Sequence, residues 1–558
     1  MGSNNKIGNY LVSAGFITEK QLKRVLEVQN NYSGAKRFGE IVIELGMLSE
    51  TEFIRVLSDK LRIPFLDIGN VRINEQAAGK IPEAIARKYT VIGVNIQGGR
   101  LVVATEDPIN FNILEDIKIT AGMDIFPVFA ARSAILKTIE KIYQRRQVEG
   151  VVEFVNQQIT EESEADDGSE ERIESAPIVK LAVTIVEQAF LADATDIHIE
   201  PFEKHTKIRI RINGDLIELM NISNAAHNSL TTRIKLISNM NIAEKRIPQD
   251  GRFSQEVNGV KLDIRVSSLP TVNGEKLVMR ILSAGGAALR KVTELGMTDY
   301  NYKMYEKMLK CPHGLILVTG PTGSGKTTTL YSSLEEVAEP DVNVVTVEDP
   351  VEKRIDGINQ VQINNKSGMT FAAALRSILR QDPDIIMIGE MRDEETAEIG
   401  IRAAITGHLV FSTLHTNDAA STITRLIDMG VPAYMAASSL IGVVAQRLVK
   451  ILCGKCKIKR FTSAEENELL GINKSIEVYE AVGCSECSNT GYKGRTAIHE
   501  IIHCTGSIKE IIVNGADKEL IERKAKENGA RMLSDNAADL VIAGKTSIKE
   551  FLRVTYSI

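Results

Sequence analysis

One run constrains this chain more than any other: "GLILVTGPTGSGKTTTLYSSLEEV", residues 314–337. An apolar strand pattern over Leu315–Thr319 enters Gly320-Pro321-Thr322-Gly323-Ser324-Gly325-Lys326-Thr327-Thr328 and leaves into a helical pattern. Strand, glycine-rich loop and helix in that order are what a phosphate-binding loop requires. Glycines turn backbone N–H groups towards phosphates, and the helix N-terminus adds positive dipole. Lys326 reaches the outer phosphates, and the Thr327 hydroxyl suits magnesium. The run therefore predicts an ATP site at Gly320–Thr328, against the plainer reading of a glycine-rich turn without ligand.

The bounds on the rest are loose. A length of 558 residues exceeds what one hydrophobic core usually serves, which argues for three or four domains. The net charge of −6 lacks the basic footprint expected when nucleic acid is the main partner. No apolar run approaches a membrane span, and "MGSNNKIGNYLVSAGF" does not read as a signal peptide, so a cytoplasmic chain is expected.

Three stretches after the loop read as strands of a parallel sheet. "VNVVTVEDPVE" ends at Glu348-Asp349-Pro350, "DPDIIMIGEMRD" ends at Gly389-Glu390, and "GHLVFSTLHTNDA" carries His408 and His415. Polar residues at the carboxyl ends of such strands meet where ligands bind in doubly wound α/β folds. Each acidic pair alone would equally suit a cap or a surface ion pair.

The N-terminal part opens on a repeat. "KIGNYLVSAGFITEKQLKRVLEVQ", from Lys6, matches "RFGEIVIELGMLSETEFIRVLSDK", from Arg37. Each copy reads as a short helix, a glycine stop, a Thr18 or Ser49 N-cap and a second helix, so residues 6–62 form a helical repeat. Residues 71–143 alternate strand and helix patterns, an α+β region. The acidic stretch "EESEADDGSEERIES" within 144–175 is too poor in apolar residues to fold alone and reads as a linker. Residues 176–288 follow as a small α/β domain with a hairpin turned at Asn213-Gly214, and 289–558 carry the phosphate loop. Within the latter, Cys453-x2-Cys456 and Cys484-x2-Cys487 have the paired spacing of a closed, structural zinc site across 453–487. A redox dithiol or chance are the alternatives.

Taken together, "ATDIHIEP", "AEKRIPQDGR", "DIRVSSLPT", "GPTGSGKTTT", "TVEDPVE", "LRQDPDIIMIGEMRD" and "TGHLVFSTLHTNDA" resemble the secretion ATPase superfamily, in its type IV pilus assembly and type II secretion branch. The resemblance runs from Ala176 to the C-terminus. It implies a RecA-like ATPase core, a preceding small PAS-like α/β domain, a zinc-binding tetracysteine insertion, and a homohexamer beneath an inner-membrane platform protein. It also implies site roles. Glu390 would hold magnesium through water, and Glu348 would activate the attacking water. Arg265 and Arg280 would reach the nucleotide from the preceding domain, and His408 and His415 would contact the terminal phosphate region. The tetracysteine motif and the long N-terminal part point to the assembly motor; a type II secretion ATPase is the near alternative, and a nucleotide-gated scaffold with little turnover a further one.

The repeat separately resembles a domain that binds cyclic di-GMP in some of these ATPases. That likeness maps onto Lys6, Ile7, Gly8 and Gln29 in the first copy, Arg37, Phe38 and Gly39 in the second, and Asp107 in "ATEDP". Lys6 departs from the motif, since Lys lacks the planar fork of Arg, and Lys60 stands where a second Gln belongs. Two readings stand: a cyclic di-GMP site, or a docking domain that keeps only the fold.

Overall fold

In the computed structural model, residues 4–31, 38–71, 73–140, 142–143, 176–283 and 290–556 are described. Arg37 and the expected acidic linker over 144–175 lie outside them. The chain divides into two units, Met1–Thr184 and Ile185–Ile558.

In the first unit the repeat folds as two helical hairpins, α1 (Asn4–Ser13) with α2 (Glu19–Asn31) and α3 (Phe38–Glu44) with α4 (Glu50–Leu61). Both second helices start at a reciprocal cap. The Ser49 N–H donates to Glu52 Oε2 at 2.9 Å while the Glu52 N–H donates to Ser49 Oγ at 3.3 Å. Thr18 and Gln21 exchange the same pair of bonds at 2.8 and 3.3 Å. The hairpins share one core containing Leu11, Val25, Phe38, Ile41 and Phe53. The repeat glycines face it: a Cβ on Gly8 would stand 2.4 Å from Leu22 Cδ1, and one on Gly39 2.4 Å from Phe53 Cε1.

The remainder of this unit contains α5 (Glu75–Ala78), α6 (Glu83–Tyr89), β1 (Val91–Gln97), β2 (Arg100–Thr105), α7 (Phe111–Ala121) and β3 (Ile125–Phe129), with the sheet ordered β1-β2-β3. Glu50, in the first turn of α4, ties it to the repeat, accepting the Arg132 N–H at 2.8 Å and the Ser133 hydroxyl at 2.6 Å.

The helix expected after the linker is α8 (Ala176–Leu191). In the second unit six antiparallel strands follow: β4 (Asp196–Pro201), β5 (Thr206–Ile212), β6 (Asp215–Ile222), β7 (Gln249–Val257), β8 (Val260–Thr271) and β9 (Gly274–Ser283), ordered β6-β5-β4-β9-β8-β7. Asn213 and Gly214 both have positive φ, 51° and 95°, as the β5–β6 turn requires. Strand β7, closed onto β8 by Asn258-Gly259, was not anticipated. Between β6 and β7 lies α9 (Asn224–Ile237). Its Lys235 is 1% exposed and donates to Glu275 Oε1 at 2.9 Å and the Glu244 carbonyl at 2.6 Å.

A seven-stranded sheet forms the core of the rest of this unit. Its strands are β10 (Gly314–Thr319), β11 (Val344–Glu348), β12 (Asn359–Gln362), β13 (Ile385–Ile388), β14 (Leu409–Leu414), β15 (Leu440–Leu452) and, beyond a small hairpin of β16 (Ile458–Phe461) and β17 (Glu477–Glu480), β18 (Tyr492–His503). The order is β12-β11-β13-β14-β10-β15-β18, parallel throughout except for antiparallel β18. Helices α10 (Asp299–Leu309), α11 (Lys326–Val337), α12 (Phe371–Ile378), α13 (Glu394–Ile405) and α14 (Ala419–Asp428) connect and cover it. Near-continuous apolar strands such as "GLILVT" and "IIMI" are what a sheet buried on both faces demands.

Replacing Lys235 by Met strands the buried Glu275 carboxylate, and breaking a buried pair in this way costs about 3–5 kcal/mol. Urea unfolding of Lys235→Met is expected to show that loss, much of it recovered in Lys235→Met/Glu275→Gln.

Candidate active site

The phosphate loop, Glu348, Glu390 and His415 gather at the carboxyl ends of β10, β11, β13 and β14. The loop leaving β10 turns at Gly320, φ +146°, and enters α11 through Gly325, φ +89°. Side chains are excluded there: a Cβ on Gly320 would lie 2.4 Å from the Gln446 carbonyl, and one on Gly325 2.8 Å from Gln446 Nε2. The Gln446 side chain, on β15 and 3% exposed, donates to the Ser324 carbonyl at 2.8 Å and accepts the Thr329 hydroxyl at 2.6 Å. The loop is thus braced from a neighbouring strand. Pro321, Thr322, Gly323 and Thr328 face solvent, and Thr327 is half-buried in the first turn of α11. Lys326 Nζ folds onto the loop, donating to the carbonyls of Gly320 at 2.8 Å and Pro321 at 3.2 Å. Burial lowers its pKa, opposed by the charges of Glu390 and Glu352.

Glu348 closes β11 and is 4% exposed. Its Oε1 accepts the Thr346 hydroxyl at 2.6 Å and Gln360 Nε2 at 3.2 Å, and its Oε2 accepts the Tyr331 hydroxyl. Glu390 follows β13 and stays partly open, paired with Arg392 and with His415 Nε2 at 3.3 Å. Gly389 lies where the segments carrying the two acids approach each other. A Cβ there would stand 3.3 Å from the Val347 carbonyl and 3.4 Å from Glu348 Cα, tighter than ordinary contact. Arg392 escaped the sequence reading, although it stands two residues beyond Glu390 in the same motif.

The two histidines separate. His415 follows β14 at the phosphate-loop edge, but His408 precedes that strand; its carbonyl accepts the Gly314 N–H at 3.0 Å, and its Nδ1 lies 3.0 Å from the Ala403 carbonyl. Because β10 and β14 run parallel from Gly314↔Leu409 to Thr319↔Leu414, His408 sits at the opposite edge, on the order of 20 Å from the loop at about 3.3 Å per residue. The expectation that it contacts the terminal phosphate is corrected accordingly. Around His415, a chain of hydroxyls joins the loop to the strand ends: Thr319 Oγ1 to Thr416 Oγ1 at 2.7 Å, and Thr416 Oγ1 to Thr422 Oγ1 at 2.6 Å.

Arg265 and Arg280 are directly opposite across β8 and β9, in a row that runs Arg252, Arg265, Arg280, Asp196, Arg211. Arg280 pairs with Asp196 at 3.0 Å, whereas Arg265 reaches the core and donates to the Val351 carbonyl at 2.9 Å, three residues past Glu348. Cross-strand arginines repel, so the row favours an anion. Arg252, in register beside Arg265, was missed because β7 was.

Four sulfurs gather in the insertion that follows the carboxyl end of β15. Cys453, Cys456, Cys484 and Cys487 converge with all Sγ atoms within 4.8 Å of one another, and the Cys453–Cys484, Cys456–Cys487 and Cys484–Cys487 distances are 3.9, 3.8 and 3.8 Å. A tetrahedron with metal–sulfur bonds of about 2.3 Å has edges of about 3.8 Å, so the donor set fits zinc. The N–H groups of Gly483, Cys484 and Gly491 point at sulfur at 3.4, 3.2 and 3.2 Å. Although burial opposes it, such donors bring the Cys487 thiol down to about 7.

A parallel sheet with a braced phosphate loop, a buried glutamate on the next motif and a second glutamate beside it defines a P-loop ATPase of the RecA-like kind. The type II/IV secretion system protein family model matches residues 171–553, and an MshEN domain model matches 61–149. The chain belongs to that secretion family and is an ATPase of it. It is 39% identical over 98% of both chains to the type IV pilus assembly ATPase PilB of Myxococcus xanthus. It is 45% identical to the type II secretion system ATPase E of Vibrio cholerae over 68% of this chain and 76% of that one. In fold it is similar to the X-ray structure of the Legionella pneumophila ATPase DotB, with TM-score 0.51 and 22% identity, covering 67% of this chain and 95% of that one. The MshEN match contains Asp107 but stops short of Lys6, Ile7, Gly8, Gln29, Arg37, Phe38 and Gly39. Among the described residues, no helix is long and apolar enough to cross a membrane.

Gln446→Leu removes both bonds that brace the loop and leaves the buried Thr329 hydroxyl without its acceptor, a loss of about 1–3 kcal/mol. Titration with a fluorescent ATP analogue is expected to give a Kd raised roughly tenfold, with the fold retained by circular dichroism.

Proposed function

We propose that this chain is a hexameric, cytoplasmic motor that hydrolyses ATP to drive pilin polymerisation in type IV pilus assembly, held at the inner face of the inner membrane by a platform protein. The observation that carries this reading is the end-to-end 39% identity to the Myxococcus xanthus pilus assembly ATPase. The 45% identity to the Vibrio cholerae protein supports the alternative, a type II secretion motor. Loss of surface pili in a deletion strain with secretion intact is the expected result; intact pili with blocked secretion would select the alternative.

Glu348 is the general base in this reading, and Glu390 holds magnesium through water together with Thr327. Magnesium arriving with ATP would neutralise phosphate charge as the attacking water is positioned. Lys326 grips the outer phosphates, His415 orients Glu390, and Arg265 brings the charge of the preceding domain to the nucleotide. Arg280, spoken for by Asp196, orders that row. Glu348→Gln is expected to abolish turnover while Kd for ATP stays within about twofold. Hydrolysis near the wild-type rate would sink the base assignment.

Zinc in the tetracysteine cluster is structural, because four thiolates close the tetrahedron. Elemental analysis is expected to find one zinc per chain in the wild type and none in Cys484→Ser/Cys487→Ser, with a lowered Tm. For the N-terminal unit, the MshEN match supports cyclic di-GMP as a regulator. The docking-domain reading draws on Gly8 and Gly39, whose smallness is already accounted for by Leu22 and Phe53. Calorimetry with cyclic di-GMP, giving heat or none, separates the two.

A further inference from the structure

Glu348 is surrounded only by donors. The Thr346 hydroxyl and the Gln360 amide come from its own strand and from neighbouring β12, and the amide's orientation is set because Gln360 Oε1 accepts the Ile355 N–H at 2.9 Å. The third donor comes from elsewhere. Tyr331, 2% exposed, belongs to α11, the helix that begins at Lys326, and lies one turn beyond Thr327. Its oxygen accepts the Glu352 N–H at 3.2 Å, which commits the single phenolic proton to Glu348 Oε2. Three donors, from its own strand, from β12 and from α11, fill acceptor positions of this one carboxylate. Burial, reinforced by the Glu348 charge, holds the Tyr331 phenol protonated far above the working range.

We infer that Tyr331 is a positioning residue for ATP hydrolysis, coupling the helix that grips the phosphates to Glu348 and keeping that carboxylate aimed. This rests on Glu348 as general base. The coupling is rigid, because Thr327 and Tyr331 are neighbours on one face of a single helix, so a shift of the phosphate grip is passed to the carboxylate without an intervening loop. Glu352, whose N–H fixes the phenol, follows Val351, whose carbonyl holds Arg265. One hydroxyl therefore stands between the phosphate helix, the proposed base and the segment that receives the arginine.

The test is Tyr331→Phe in the full chain, with kcat and KM for ATP measured from pH 5 to 9. Losing a donor to a carboxylate raises its pKa, so the acid limb of kcat should move to higher pH, by about one unit for one charge-assisted bond. On the plateau kcat should fall roughly tenfold with KM for ATP within about twofold, as for an interaction made in the transition state. A merely structural tyrosine would lower Tm without displacing the pH profile, and that outcome overturns the proposal. If Tyr331→Phe fails to fold, 3-fluorotyrosine at 331 keeps the shape with a stronger donor, and the acid limb should move to lower pH; an unmoved limb likewise overturns it. Added to Glu348→Gln, Tyr331→Phe should cost nothing further. Turnover by Glu348→Gln strikes the general-base reading itself, whereas an inert Glu348→Gln beside an unaltered Tyr331→Phe strikes only the role of Tyr331.

Discussion

The whole site hangs on β10 being held in parallel on both sides, by β14 and by β15. With Thr319 opposite Leu414 on one flank and opposite Ala445 on the other, the phosphate loop emerges at a fixed height between two strand ends. Each flank then adds a polar tie just beyond its last paired residue. On the β15 side this is Gln446, bonded to Ser324 and Thr329. On the β14 side it is Thr416, bonded to Thr319 and Thr422. A glycine-rich loop has high conformational freedom to lose on ordering, and these ties hold it in place before any ligand arrives. Preorganisation of that sort is what makes electrostatic stabilisation of phosphoryl transfer effective, because dipoles need not reorganise during the reaction.

The two glutamates have different environments, and the difference follows from where their strands end. Glu348 is the last residue of β11, so its side chain stays in the layer between sheet and α11, saturated by donors and out of water. Glu390 stands two residues beyond Ile388, the last residue of β13, and emerges at the edge, facing Arg392 and His415. A buried acceptor ringed by donors fits the proposed base; a partly open carboxylate beside Arg392 and His415 fits the proposed hydrated metal ion. The glycine between β13 and Glu390 eases the approach of the two segments, since a Cβ there would stand 3.3 Å from the Val347 carbonyl and 3.4 Å from Glu348 Cα.

Much of this was legible in the residues. The run Gly320–Thr328 names a loop and the helix that follows, and the cysteine spacing names four ligands whose sulfurs do converge. The duplicated Thr18 and Ser49 caps were readable because capping is local chemistry. What escaped reading was set by pairing partners. His408 and His415 look alike in sequence, both flanking one strand, and only the direction of β14 relative to β10 assigns them to opposite edges. Tyr331 and Gln446 carry no motif; each acts through a residue at least 17 positions away in the chain, Glu348 for one and Ser324 for the other. Strand β7 escaped because "QDGRFSQEV" exposes alternate residues and offers little apolar contrast, and with it went Arg252 and the cross-strand row.

The tetracysteine insertion takes on meaning from its place in this scheme. It is not appended to the fold but interrupts it between β15 and β18, the antiparallel pair of the sheet, whose register runs from Gly442↔His503 to Leu452↔Tyr492. An insertion of this length would otherwise leave the far end of β15 to fray, because the connection between paired strands is entropically costly to close. Bringing Cys453 and Cys456 against Cys484 and Cys487 closes it at its base, where the Cys453 N–H also meets the Gly491 carbonyl at 2.9 Å. Strand β15 is the strand that carries Gln446. The zinc proposed at its end would secure the same strand that braces the phosphate loop, and so support the geometry on which the nucleotide site depends.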